Sequence, residues 1–170
     1  MHRRRFFHYC SIVLSGLTAL LVGLPGAAFL VDPLFRQRQK SKRHRLVKLD
    51  DLPTGKPRKL VIVDQRVDAW TRYPEGPIGA VWLVRRDDDS VDAYSTTCPH
   101  LGCTVNLADD TFFCPCHEAR FAMDGSTLDG PQLRGMDKLD AMVAKIDDDD
   151  WVQVDFQRFE LGVAEKTPLG

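Results

Sequence analysis

Two short segments gather the chain's soft metal ligands. "STTCPHLGCTVN" at 95–106 holds Cys98, His100 and Cys103, and "FFCPCHEARF" at 112–121 holds Cys114, Cys116 and His117. Four of the five cysteines fall inside these segments; Cys10, in an apolar run, is expected to be an inert thiol without a role. Cys98-x-His100 and Cys114-x-x-His117, placed on two loops, can bring two thiolates and two imidazoles to one metal centre. Zinc would accept that set, although the first pair is tightly spaced and Cys103 and Cys116 would then be idle. A zinc-dependent nucleobase deaminase is excluded, because its H-x-E with P-C-x-x-C pattern does not occur.

The elements around the two segments are short. Apolar runs at 59–63, 79–84, 90–95, 104–107 and 111–114 alternate with turn residues, and the acidic runs at 87–89 and 147–150 fall between apolar runs as solvated loop tips. The spacing predicts an all-β domain of hairpins over 59–157, with the cluster-bearing part at about 95–135 and a tail at 158–170. One core is expected of a chain of 170 residues. The net charge of −1 and the lack of a basic stripe on the globular part argue against nucleic acid as a partner.

Residues 9–31 carry no charge, and about 23 residues at 1.5 Å rise cover the roughly 30 Å hydrocarbon layer, so a single transmembrane helix is expected there. Ahead of it, 1–8 contains "RRRFF" at 3–7, which resembles a twin-arginine export signal. The basic stretch at 36–45 follows the span, and a count of Lys and Arg alone would keep the rest of the chain in the cytoplasm. The export signal, which carries folded, cofactor-loaded domains, is given the greater weight. An uncleaved anchor is expected, with cleavage near 26–28 as the alternative. Residues 32–58, polar and basic, are expected to form a linker or hinge.

Taken together, the two segments closely resemble the boxes of the Rieske iron–sulfur proteins, here Cys98-Pro99-His100-Leu101-Gly102-Cys103 and Cys114-Pro115-Cys116-His117-Glu118-Ala119. The resemblance implies an antiparallel β-sandwich with a small cluster-binding subdomain and one [2Fe–2S] cluster. Cys98 and Cys114 would hold the inner iron, and His100 and His117 the outer one. It further implies a Cys103–Cys116 disulfide, as in the quinol-oxidising branch, and a disulfide persists in an oxidising compartment outside the cytoplasm. By the same analogy Leu101 helps seal a docking face, and Gly130 and Pro131 belong to a loop covering the cluster. The chain departs from the family where Glu118 replaces the usual glycine. Ala119 and Phe121 stand where high-potential members have serine and tyrosine.

The resemblance implies the electron-transfer subunit of a quinol:cytochrome c reductase, a multi-subunit complex with a cytochrome b-type subunit and a c-type cytochrome. The chain would be a single-pass protein of the bacterial cytoplasmic membrane with its Rieske domain on the periplasmic side. The missing hydroxyls at Ala119 and Phe121 suggest a low potential suited to a menaquinol-like donor, with His100 and His117 meeting the quinol. The rival readings are the small Rieske subunit of an exported molybdenum oxidase of the arsenite-oxidising kind and a structural zinc module.

Overall fold

The structure, a computed structural model, describes residues 2–35, 42–67 and 71–169. It divides into an N-terminal unit at 1–39 and a second unit at 40–170. The first is one helix, α1 (His2–Phe35), whose stretch His2–Asp32 is long and apolar enough to cross a membrane. Helix is the form in which such a segment can satisfy its own backbone in hydrocarbon. The helix is longer than the uncharged 9–31 and takes in the arginines at 3–5.

The second unit is mostly β-sheet. Its strands are β1 (Lys42–Lys48), β2 (Arg58–Val67), β3 (Arg72–Arg85), β4 (Val91–Ser95), β5 (Asn106–Ala108), β6 (Thr111–Cys114), β7 (Ala119–Phe121), β8 (Thr127–Asp129), β9 (Lys138–Ile146) and β10 (Asp149–Phe156). A six-stranded antiparallel sheet runs in the order β1-β10-β9-β4-β3-β2, and a four-stranded one in the order β5-β6-β7-β8. The inward residues of the large sheet, among them Val47, Ile62, Leu83, Leu139, Val152 and Val154, meet in one core. Val47 and Ile62 come from strands at opposite ends of that order, so the sheet curls around its own core. Lys42 Nζ on β1 reaches Asp64 Oδ1 on β2 at 2.6 Å and ties the two ends together.

The linker expected at 32–58 is corrected over 42–52. Residues 42–48 are a strand paired with β10, and Val47, Leu49 and Leu52 are buried. Basic residues hide an alternating pattern here. Arg45 lies over the Trp151 ring at 4.6 Å, where an aromatic face stabilises a cation, and a register shift between Arg45 and Val47 turns the last apolar side chains inward. Residues 36–41 of that linker lie outside the described residues.

The acidic run at 87–89 is a turn, as the sequence predicts, but only the first half of 147–150 is: Asp149 and Asp150 pair with β9 as the start of β10. Asp147 and Asp148 join β9 to β10 with φ of 50° and 68°, and Asp109 and Asp110, outside the predicted runs, join β5 to β6 with 47° and 57°. These are the left-handed conformations of a tight hairpin, and Asp accepts them better than most side chains.

His44 on β1, with a side chain only 9% exposed, sits 3.8 Å from Asp64. Burial holds its pKa below the ordinary 6.5, outweighing the pull of Asp64 in the other direction. The unfolded chain therefore binds the proton more readily, and stability is lost as pH falls below about 6.5. Asp64 acts in a separate window. Its pKa is lowered chiefly by the Lys42 hydrogen bond, so its contribution disappears only as pH falls below 3.8. Thermal unfolding followed from pH 7.5 to 5.5 should show a falling midpoint, and His44→Gln should flatten that slope.

Candidate metal centre

The small sheet with its loops is inserted between β4 and β9. The chain leaves and returns at one point, where Ser95 N–H donates to Asp137 O at 2.8 Å. Trp82 on β3 extends its Nε1–H to Val105 O at 3.1 Å, and its ring lies 5.6 Å from Phe112. Trp82, Tyr94, Phe112, Phe121 and Met136 form a second apolar core, and Cys98 and Cys114 belong to it.

The first loop closes on itself. Cys98 N–H donates to Cys103 O at 2.8 Å and Gly102 N–H to Cys98 O at 2.9 Å, a turn that needs φ of +82° at Gly102. Cys98 is 1% exposed, and burial pushes its thiol up to about 11. The backbone N–H groups of His100 and Leu101 oppose this by donating to its sulfur, and the Cys114 thiol is within hydrogen-bonding reach. Two buried sulfurs in contact, one cradled by amide donors, form a site for thiolate that the apolar surroundings disfavour until a cation binds.

The second loop is the β6–β7 turn, in which Cys114 pairs with Ala119 across the hairpin. It carries His117 at the surface. The His100 and His117 rings approach to 4.7 Å between centroids at 70°, with His117 exposed and His100 half-buried. Cys103 and Cys116 are joined by a disulfide with a sulfur–sulfur distance of 2.03 Å. Both disulfide sulfurs lie within 4.8 Å of Cys114 Sγ. The two loops thus present paired thiols in the interior, paired imidazoles toward solvent and a covalent strap between them.

The other residues singled out by sequence fall around this set. Leu101 is 62% exposed, Ala119 and Phe121 are buried, and Pro131 is at the surface. Gly130, at φ +111°, lies directly on the second loop's strand: a Cβ added to it would stand 2.6 Å from Ala119 Cα. The loop that follows β8 can cross so closely only because that side chain is absent. Glu118 has φ of +59°, which explains physically why glycine is usual at its position. A left-handed backbone costs a side-chain-bearing residue roughly 1 kcal/mol. Glu118→Gly is therefore expected to raise the thermal midpoint by about 3 to 5 °C, while Glu118→Ala should not.

The sequence assigns no role to Arg134 and Asp137 and reads 158–170 as a tail, whereas residues 158–169 fold back on themselves through backbone hydrogen bonds. Arg134 and Asp137 form a nearly buried ion pair, Nε to Oδ1 at 2.9 Å, and Gly162 N–H donates to Pro99 O at 2.9 Å. Their spacing of three was the available signal for the ion pair; nothing local in the sequence points from Gly162 to Pro99.

The donor set fits a binuclear iron–sulfur cluster better than one zinc ion, since the disulfide removes Cys103 and Cys116 from the pool and leaves two thiols segregated from two imidazoles. Residues 42–146 match the model of the Rieske [2Fe–2S] domain. The chain is similar to the menaquinol:cytochrome c reductase iron–sulfur subunits of Bacillus subtilis (strain 168), at 33% identity, and of Geobacillus thermodenitrificans, at 28%. These matches cover 79% and 75% of this chain and 82% and 77% of those proteins. It is also 26% identical to the cytochrome b6-f complex iron–sulfur subunit of Chlorobaculum thiosulfatiphilum, over 76% of this chain and 64% of that one. A family match across more than half the chain, on a fold that segregates two sulfurs from two imidazoles, makes this protein a member of the Rieske [2Fe–2S] family.

Proposed function

We propose that the chain is the Rieske subunit of a membrane quinol:cytochrome c reductase of the menaquinol-oxidising kind, working beside a cytochrome b-type subunit and a c-type cytochrome. Cys98 and Cys114 are the ligands of the inner iron and His100 and His117 those of the outer one. The observation that carries this reading is the pair of imidazoles 4.7 Å apart at the solvent face, next to two buried thiols. The names of the relatives support the quinol side of it.

When bound, the cluster supplies a one-electron acceptor whose potential is raised by imidazole ligation. The protein's own groups handle the proton and the access. A ring nitrogen of His100 or His117, not engaged by iron, accepts a hydrogen bond from the quinol hydroxyl and then its proton. Leu101, exposed beside His100, packs against the partner's apolar quinol pocket and excludes water. Ala119 and Phe121 offer no hydroxyl to cluster sulfur, which sets a low potential. The apolar helix α1 anchors the protein, and the arginines at 3–5 direct export of the β-domain to the outer face of the cytoplasmic membrane.

The test is purification from membranes of iron-replete cells. A reddish protein with a Rieske-type electron paramagnetic resonance signal after reduction, bound to a b-type haem protein and reducing cytochrome c with a menaquinol analogue, is expected. Colourless material holding one zinc ion would overturn the cluster reading, and an intact cluster bound to a molybdenum subunit would overturn the choice of complex.

A further inference from the structure

Beyond the family's matched region, the chain turns back from the end of β10 toward the first cluster loop. Residues 158–169 close on themselves: Glu160 N–H donates to Thr167 O at 2.9 Å, Leu169 N–H donates to Arg158 O at 2.8 Å, and Phe159 bridges to Pro168. The root of this loop is fixed in the body. Phe159 is buried in the main core, and Lys166 Nζ lies 4.6 Å over its ring while donating to Lys138 O.

The tip of the loop touches the segment that carries Cys98 and His100. Gly162 N–H donates to Pro99 O, and Leu161 Cδ1 fills the space over Gly102, 2.9 Å from where a Cβ would stand. Pro99 is itself fully buried, so its carbonyl needs a partner inside the protein, and the tip supplies one. Arg134 joins the two. Its Nε and Nη2 hold Asp137 Oδ1 and Oδ2 at 2.9 and 3.0 Å, Nη2 also donates to Glu160 O at 2.6 Å, and Nη1 donates to Val163 O. The side chains of Arg134 and Asp137 are 10% and 3% exposed. A planar guanidinium can serve a carboxylate and two carbonyls together; an ammonium cannot.

We propose that residues 158–169, stapled by Arg134, are a strap that fixes the first cluster loop, with Arg134 and Gly162 as positioning residues for Cys98 and His100. The chemistry explains why an ion pair is buried here: a fully partnered network in low dielectric holds one geometry where the loop's own turn bonds would allow several. The proposal rests on the cluster reading above only for its spectroscopic consequence. The strap itself is a property of the polypeptide.

The test uses the full chain with its cluster assembled. Gly162→Pro removes the donor to Pro99 and cannot take the φ of +71° found there; Gly162→Ala keeps the donor and brings its Cβ no nearer than 3.6 Å to His100 O. Arg134→Lys keeps the charge and loses the fork. In Gly162→Pro and Arg134→Lys, the Gly102 amide should exchange with solvent about tenfold faster, as expected for losing a buried hydrogen bond. Iron should be released to a chelator faster by a similar factor, and the resonance signal of the reduced protein should broaden. Gly162→Ala, which bears the strain of a side chain at φ +71° but keeps the donor, should lower the thermal midpoint by a few degrees while leaving Gly102 exchange and iron release near the parent. Unchanged amide exchange, iron release and resonance in Gly162→Pro, with its fold confirmed by circular dichroism, would overturn the strap. A parent protein without any Rieske signal would instead overturn the cluster reading, and the exchange measurement would still decide the strap.

Discussion

Replacing Cys103 and Cys116 together by alanine is expected to lower the thermal midpoint by on the order of 10 °C and to leave a protein that loses its iron during purification. The bridge closes 13 residues of sequence separation, and a loop of about that length restricts the unfolded chain by about 3 kcal/mol. In a unit of this size that corresponds to roughly 10 °C. The effect on iron comes from position. Cys103 O is the acceptor for Cys98 N–H, and Cys116 lies between Cys114 and His117. Cutting the strap therefore frees one ligand loop from the other, whereas cutting a bridge elsewhere would cost stability alone. Cys116 is exposed and Cys103 half-buried, so a small thiol reductant should reach the bond and reproduce both results in the unmodified protein. A double variant that retains its colour and melts with the parent would refute this account.

Much of the proposed centre was legible because the cysteines and histidines proposed as its ligands are local in sequence. Cys98 to Cys103 and Cys114 to His117 each need one turn, and Gly102 marks the first of them. The hairpins beside the acidic runs were legible for a similar reason, since Asp147 and Asp148 can occupy the backbone conformation that a two-residue turn requires. What the sequence concealed depends on distant partners. Strand β1 reads as a basic linker until Trp151 and Asp149, about a hundred residues away, provide the ring under Arg45 and the carboxylate for Lys48. Strands β7 and β8 have three residues each, too short for periodicity to register. Glu118 shows in the sequence only as a side chain in place of glycine, while its backbone angle is what departs from the ordinary. Nothing in the sequence points from Arg134 to the carbonyls of Glu160 and Val163, because backbone acceptors carry no side-chain signature.

Adding the two hydroxyls that the family resemblance places at Ala119 and Phe121 is expected to raise the midpoint potential, by on the order of 100 mV for Ala119→Ser with Phe121→Tyr. A hydrogen bond to a charged acceptor contributes about 1.5 to 3 kcal/mol. If half of this is specific to the reduced state, each hydroxyl shifts a one-electron couple by several tens of millivolts, since about 59 mV corresponds to a factor of ten. The two positions should not contribute equally. Ala119 Cα and Gln132 Oε1 each lie 2.6 Å from the same point, the Cβ that Gly130 lacks, and that buried oxygen has no hydrogen-bond partner among the described residues. The amide is held in this orientation, since Gln132 Nε2 donates to Asp129 O at 2.8 Å. A hydroxyl introduced at 119 therefore meets a competing acceptor, and Ala119→Ser alone should gain less than Phe121→Tyr. Gln132→Leu, which removes the competitor, should restore the larger gain to Ala119→Ser while changing Phe121→Tyr little. Redox titration of these variants reads this directly. A parent midpoint already as high as that of serine- and tyrosine-containing relatives would show that the missing hydroxyls do not set the potential. Equal gains at the two positions, unaffected by Gln132→Leu, would show that the buried oxygen does not compete.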